Sequence, residues 1–169
     1  LGQEGVQGVL QQGEVLSVKD LLYIALMESS NRAAYALSEV MGVDHFIDAM
    51  NAQAQKLGLE NTHFADATGL SPQSYSTAED VAKLSGYLFN QYPLFRQIVG
   101  LKEFNLYLPN GSFHHKLINT NQLLGQSGIV GGKTGWTSEA RGCFMAIRQN
   151  ATGQGYTLYV ILGAEDRFL

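Results

Sequence analysis

Two short polar clusters in the chain have residue types and spacing that could do chemistry. The first is Ser29-Ser30-Asn31, a Ser-x-Asn placed where one helical stretch stops and another starts. The second is Lys133-Thr134-Gly135, which follows Gly131-Gly132 on a stretch with strand character. A lysine and a threonine hydroxyl side by side suit a carboxylate, because charge-assisted hydrogen bonds to an anion are the strong ones. A glycine next to them leaves room for a substrate backbone to lie along an edge strand as an added strand. Each cluster alone also has a plain structural explanation. Ser-x-Asn serves as a helix cap, and a lysine before a turn blunts a sheet edge.

The other polar candidates read more simply. His114 and His115 are adjacent on a predicted strand, so their side chains should point to opposite faces and not share a metal. His63 sits in a long loop and reads as a structural hydrogen-bonding residue. Glu79 and Asp80 read as the acidic first turn of a helix. Trp136, Tyr156 and Tyr159 are candidates for sheet packing. Cys143 lies in the apolar run 142–147 and reads as a small buried hydrophobe; as the one cysteine it cannot form an internal disulfide.

The elements that must position these residues change period at mid-chain. Ser17-Val-Lys-Asp20 is a cap-like start for an apolar helix over 21–28. Ser29 to Asn31 interrupt it, since such side chains compete for backbone hydrogen bonds. Ala33, Ala36, Leu37, Val40 and Met41 then share a helical face. A third helix is expected over 44–57 and a turn-rich loop over 59–75. Further helices are expected from Thr77 to about residue 90 and from Pro93 to Gly100. Beyond them, 103–108 and 112–118 flank Pro109-Asn-Gly111 as a hairpin, and 120–124 suits one helical turn. Strands are expected over 130–137, 142–148 and 156–162, with connections so short that neighbours must be antiparallel. The run 156–162 is nearly continuously apolar, which suits a strand buried on both faces. Helices first and an antiparallel sheet after give an α+β fold in a single domain over 1–169. Its helical lobe covers about 17–100 and its sheet part about 101–169.

Composition excludes several classes. Eight Phe, eight Tyr and one Trp in 169 residues are enough aromatic mass for a packed core, which argues against disorder. A net charge of −4 and the lack of any Lys/Arg cluster argue against nucleic acid or an anionic membrane surface as partner. The longest apolar run, 21–27, is too short to span a bilayer, which takes about 20 residues. No charged-then-apolar leader opens the chain, so a secretory signal would have been removed or was never present.

Together and in this order, the two clusters resemble the serine penicillin-recognising enzymes, whose Ser-x-x-Lys, Ser-x-Asn and Lys-Thr-Gly motifs are a known set. The resemblance is to D-alanyl-D-alanine carboxypeptidases, the low-molecular-mass penicillin-binding proteins. It extends through Asp20-Leu-Leu-Tyr23, Leu57-Gly-Leu-Glu-Asn-Thr-His-Phe64, Gly69-Leu70, Tyr75-Ser-Thr-Ala78, Asn119-Thr-Asn-Gln-Leu-Leu124 and Val160-Ile-Leu-Gly-Ala164. It implies a helical lobe beside an antiparallel sheet, β-lactamase/transpeptidase-like, with no metal and no cofactor. The implied substrate is the peptidoglycan stem peptide, with β-lactam antibiotics as ligands. Action would be outside the cytoplasmic membrane, periplasmic or at the cell surface, with any membrane anchor in segments not seen here. The resemblance further implies that Ser29 relays a proton toward the leaving amine and Asn31 hydrogen-bonds the substrate amide. Lys133, Thr134 and Gly135 would hold the peptide terminus, the backbone N–H of Trp136 would be an oxyanion-hole donor, and Arg167 would bind the terminal carboxylate.

One departure stands out: no serine in the chain is followed three residues later by lysine. Acyl transfer needs a nucleophile beside its base, so these residues are expected to form an internal stretch that cannot turn over alone. Two rivals follow, a non-catalytic binding domain of the same fold and a serine β-lactamase. A further expectation concerns 156–162. Either residues outside this chain or a second copy pair with that strand, or the stretch 6–16 folds back over it.

Overall fold

The computed structural model describes residues 9–168. Among the described residues five helices, α1 (Val18–Met27), α2 (Asn31–Glu39), α3 (Val43–Lys56), α4 (Ala78–Gln91) and α5 (Pro93–Val99), precede five strands. The strands are β1 (Glu103–Tyr107), β2 (Phe113–Ile118), β3 (Ile129–Thr137), β4 (Arg141–Gln149) and β5 (Tyr156–Ala164). β1 and β2 form an antiparallel hairpin, and β3, β4 and β5 form a separate antiparallel sheet in that order. The α+β fold expected from the sequence is therefore present. No helix among the described residues is long and apolar enough to cross a membrane.

Local chemistry accounts for the helix starts. The Ser17 hydroxyl accepts the Asp20 N–H at 3.1 Å, and the Asp20 carboxylate accepts the Ser17 N–H at 3.1 Å, a reciprocal capping box. Thr77 caps α4 by accepting the Asp80 N–H, and Pro93 opens α5, where its missing N–H is no loss. The stretch 120–124 closes as a turn, with Leu124 N–H donating to Asn121 O, rather than as a helix.

Two cores result. The first buries Leu21, Tyr23, Ile24 and Met27 of α1 with Ala33, Ile98, Leu106 and Leu117. The hairpin, placed with the sheet part on sequence grounds, thus packs with the helices. Leu10 joins the same core, so the described part of 6–16 lies on the helical side and not on β5; residues 6–8 lie outside the described residues. The second core sets Phe89 of α4 and Val99 of α5 against Met145 and Ile147 of β4. Consecutive residues Ile98 and Val99 enter different cores, so the short α5 is the wedge between helices and sheet. Val99 lies within 3.0 Å of where a Cβ would stand on Gly131, which is why β3 carries glycine there.

β5 departs from expectation. Tyr156, Leu158 and Val160 pack toward α4, but Tyr159 and Ile161 on the other face are 45% and 41% exposed. Only one of its edges has a ladder partner among the described residues. A continuous apolar run signals burial potential, but it does not supply the covering layer.

A buried carboxylate fixes the long loop to α4. Asp80, 2% exposed, accepts the Asn61 N–H at 2.8 Å and the Thr62 hydroxyl at 2.9 Å. Asp80→Ala should lower stability by about 2–3 kcal/mol, the scale of charge-assisted bonds whose buried donors lose their acceptor. Urea denaturation of the two chains checks this, and a loss within experimental error would contradict it.

Candidate active site

Ser29 stands between α1 and α2 in the left-handed region, φ 59°, at a strain of roughly 1–3 kcal/mol for a non-glycine residue. The turn gives the two adjacent serines different work. Ser30 is 1% exposed and caps α2 by accepting the Ala33 N–H at 3.3 Å. Ser29 instead meets the sheet: the Lys133 Nζ of β3 donates to Ser29 Oγ at 2.6 Å and to the Thr134 carbonyl at 2.7 Å. Burial, with a smaller push from the Arg167 guanidinium, lowers the Lys133 pKa to about 8.

Thr134 is 5% exposed, and its hydroxyl bonds that of Thr120 at 2.7 Å. Thr120 in turn donates its N–H to Met27 O at 3.0 Å, tying β3 to the end of α1 just before Ser29. Arg167 reaches back from beyond β5 and donates Nη1–H to the Gly135 carbonyl at 2.9 Å. These groups enclose a cavity of about 610 Å³. All seven residues singled out on the sequence line it: Ser29, Asn31, Lys133, Thr134, Gly135, Trp136 and Arg167. Among the described lining residues Lys133 and Arg167 are cationic and none is a carboxylate. Among the described residues β3 pairs only with β4, and its other edge runs along this cavity.

Several lining residues were not legible as site residues: Thr120, Ala140, Cys143 and the loop residues Thr68, Gly69 and Leu70. Cys143 faces Gly135 across the β3–β4 ladder and lines the cavity, so it is not the buried hydrophobe its apolar neighbours suggested. Trp136 is 55% exposed at the cavity rim. The adjacent histidines also depart from strict alternation. The His114 and His115 Nδ1 atoms lie 2.5 Å apart, while their Nε2 atoms contact Glu14 at 3.0 Å and Glu28 at 3.2 Å. The hairpin register shifts there, leaving His114 unpaired between His115 and Phe113, so strict alternation is broken and the two rings meet. Among the described residues, no group of three or more His, Cys, Asp or Glu side chains could hold a metal ion.

The wall formed by 68–70 is organised by Asp66. Its carboxylate accepts the Thr68 N–H at 3.0 Å, the Leu70 N–H at 3.1 Å, the Ser71 N–H at 3.3 Å and the Ser74 hydroxyl at 3.0 Å, and also the Thr68 hydroxyl. Burial alone would raise its pKa, but these donors outweigh burial and hold it below the ordinary value. A carboxyl depressed in the folded state stabilises above its unfolded pKa of about 3.9, and that contribution is lost as pH falls through the folded one. Asp66→Asn should therefore be destabilised relative to the parent at pH 7, with the gap closing on acidification. Thermal melts from pH 7 to pH 2 check this, and a pH-independent gap would contradict it.

The geometry defines a class: a cleft between helices and an antiparallel sheet, with a Ser-Asn helix junction opposite a lysine on an edge strand. Solved structures share this fold. The crystal structure of the Streptomyces K15 DD-transpeptidase superposes with a TM-score of 0.83 at 32% identity, covering 94% of this chain and 64% of that one. The model of the D-alanyl-D-alanine carboxypeptidase family matches residues 2–166, and the chain belongs to that family. The D-alanyl-D-alanine endopeptidase of Escherichia coli K12 is 38% identical over 146 residues, 84% of this chain and 47% of that protein. The D-alanyl-D-alanine carboxypeptidase DacF of Bacillus subtilis 168 is 34% identical over 164 residues, 95% of this chain and 41% of that protein. The chain thus spans less than half the length of these curated relatives.

Proposed function

We propose that this chain is the peptide-binding part of a penicillin-sensitive serine D-Ala-D-Ala carboxypeptidase. That enzyme trims peptidoglycan stem peptides through an acyl-enzyme, outside the cytoplasmic membrane. The observation that carries this is the Lys133 Nζ to Ser29 Oγ bond of 2.6 Å, inside a cavity lined by two cations. A terminal carboxylate would be drawn to Lys133, Thr134 and Arg167. The peptide backbone would add to the free edge of β3.

The direction of the bond suggests the proton path. An ammonium only donates, so Ser29 Oγ is the acceptor and its own hydrogen is free for the leaving amine nitrogen. A lysine with a pKa of about 8 is close enough to neutrality to resupply that proton. Asn31 would hold the substrate amide and the Trp136 N–H would face the developing oxyanion. The nucleophile would come from sequence outside residues 1–169, as would the strand that pairs with the outer edge of β5. The exposed Tyr159 and Ile161, and a related structure of which this chain covers 64%, support that pairing.

Mass spectrometry of the whole protein after incubation with benzylpenicillin tests the reading. One covalent adduct on a serine outside this stretch is expected. No adduct would favour the non-catalytic binding domain, and rapid loss of the adduct with penicillin turnover would favour a β-lactamase. In the same protein Lys133→Ala should slow acylation roughly 10²–10³-fold, the scale of one lost preorganised contact. Lys133→Arg should also be poor, since a planar fork does not replace a point charge. Near-normal acylation in both would contradict the assignment.

A further inference from the structure

We propose that Asp66 is a positioning residue for an extended-peptide subsite, acting through the wall of Thr68, Gly69 and Leu70. The inference rests on the peptide-binding reading above and names the part of the substrate that this wall takes.

The cavity is partitioned by charge. Both of its cationic side chains, Lys133 and Arg167, lie on the sheet side, where a terminal carboxylate would sit. The loop wall carries a threonine, a glycine and a leucine and no charge. The loop wall and the two cations line the same cavity. An uncharged wall there suits the residues that precede the carboxylate-bearing end of the peptide.

The wall is built in advance of any ligand. Asp66 gathers backbone N–H groups from Thr68, Leu70 and Ser71, and hydroxyls from Thr68 and Ser74, onto one carboxylate. Ser74 Oγ also accepts the Ala65 N–H at 3.0 Å, closing the loop on itself. Two more ties fix its base. Asn51 of α3 donates to Phe64 O at 2.7 Å and accepts the Phe64 N–H at 2.9 Å, while His63 and Tyr75 exchange backbone hydrogen bonds at 2.9 and 3.0 Å. A loop held by so many bonds loses little further conformational entropy on binding. An asparagine at 66 would turn an NH2 group toward donors and release the wall while leaving Lys133, Thr134 and Arg167 in place.

Calorimetric titration tests this with two ligands, the parent chain being the whole protein with its nucleophilic serine replaced by alanine so that neither ligand is consumed. One is N-acetyl-D-Ala-D-Ala, and the other is that dipeptide extended by three stem-peptide residues at its amino end. The parent chain should bind the extended peptide at least tenfold more tightly. Asp66→Asn should reduce that advantage to about twofold or less, with the dipeptide Kd unchanged within about twofold. Leu70→Ala, which leaves every bond to Asp66 intact, should cause the same selective loss and serves if Asp66→Asn fails to fold. A merely structural role would weaken both ligands together or neither, and either pattern in a folded variant overturns the proposal. Equal affinity of the parent chain for both ligands overturns it while leaving the peptide-binding reading standing. Failure of the parent chain to bind either overturns both.

Discussion

Lys133→Met should make the chain more stable at neutral pH while removing its affinity for a carboxylate-terminated peptide. The lysine is half-buried, and loss of hydration, with a smaller push from Arg167, lowers its pKa from 10.5 to about 8. At about 1.4 kcal/mol per pH unit, holding it charged in the folded state at pH 7 costs about 3 kcal/mol. The methionine removes that penalty but leaves Ser29 Oγ and the Thr134 carbonyl without their donor, so a net gain of about 1–3 kcal/mol is expected. The sign of the pH dependence follows from linkage. Below pH 8 the lysine is protonated both folded and unfolded, and the penalty is constant. Between pH 8 and 10.5 the folded chain releases a proton that the unfolded chain keeps, so stability rises with pH. Urea denaturation of parent and variant between pH 7 and 10.5 should show the parent closing the gap at the alkaline end. Parallel curves would mean that Lys133 is not held charged against its surroundings. A residue that destabilises its own fold belongs to the trade of stability for function expected at binding sites.

Gly132→Ala should be among the most damaging single-methyl additions to this chain, destabilising it by about 3 kcal/mol. A Cβ there would stand 2.5 Å from the Met145 carbonyl oxygen, 2.9 Å from Asn121 Nδ2 and 3.1 Å from a Phe144 ring carbon. The first of these is backbone of the paired strand, which cannot move without breaking the β3–β4 ladder. Because residue 132 immediately precedes Lys133, the same displacement would move the lysine from Ser29, and peptide affinity should fall at least tenfold. Gly58→Ala is a control for cavity effects, since nothing lies within 4 Å of its Cβ position, although its φ of 66° carries strain of its own. A denaturation midpoint for Gly132→Ala equal to that of the parent would show that β3 and β4 separate more freely than their register indicates.

Much of the fold was legible where the signals were local. Ser17, Thr77 and Pro93 announce helix starts through hydrogen bonds or dihedral limits within one turn, and α1, α4 and α5 begin beside them. The hairpin around Pro109-Asn-Gly111 and the three-stranded meander were legible through turn residues and short connections. What failed depended on long-range packing. Leu106 and Leu117 pack with α1, a choice that strand patterning does not encode. His114 and His115 meet because the hairpin register shifts beside them, which strand alternation alone does not foresee. Ser29, Asn31, Lys133, Thr134 and Gly135 were recognisable because two motifs resemble a known set, and Trp136 and Arg167 because the resemblance extends beyond those motifs. Thr120, Cys143 and the wall at 68–70 were not, because each reaches the cavity by a contact that no short motif describes.

The central claim is that the cavity between Ser29, Asn31 and the free edge of β3 takes a peptide ending in a free carboxylate. Backbone amide chemical shifts of the chain, followed during titration with N-acetyl-D-Ala-D-Ala and separately with its C-terminal amide, test it most directly. The claim predicts saturable shifts confined to residues 29–31, 133–137 and 167 with the free acid, and at least tenfold weaker binding of the amide. Equal shifts with acid and amide, or shifts centred on the apolar groove of Met41, Met50 and Phe64 in the helical lobe, would contradict it.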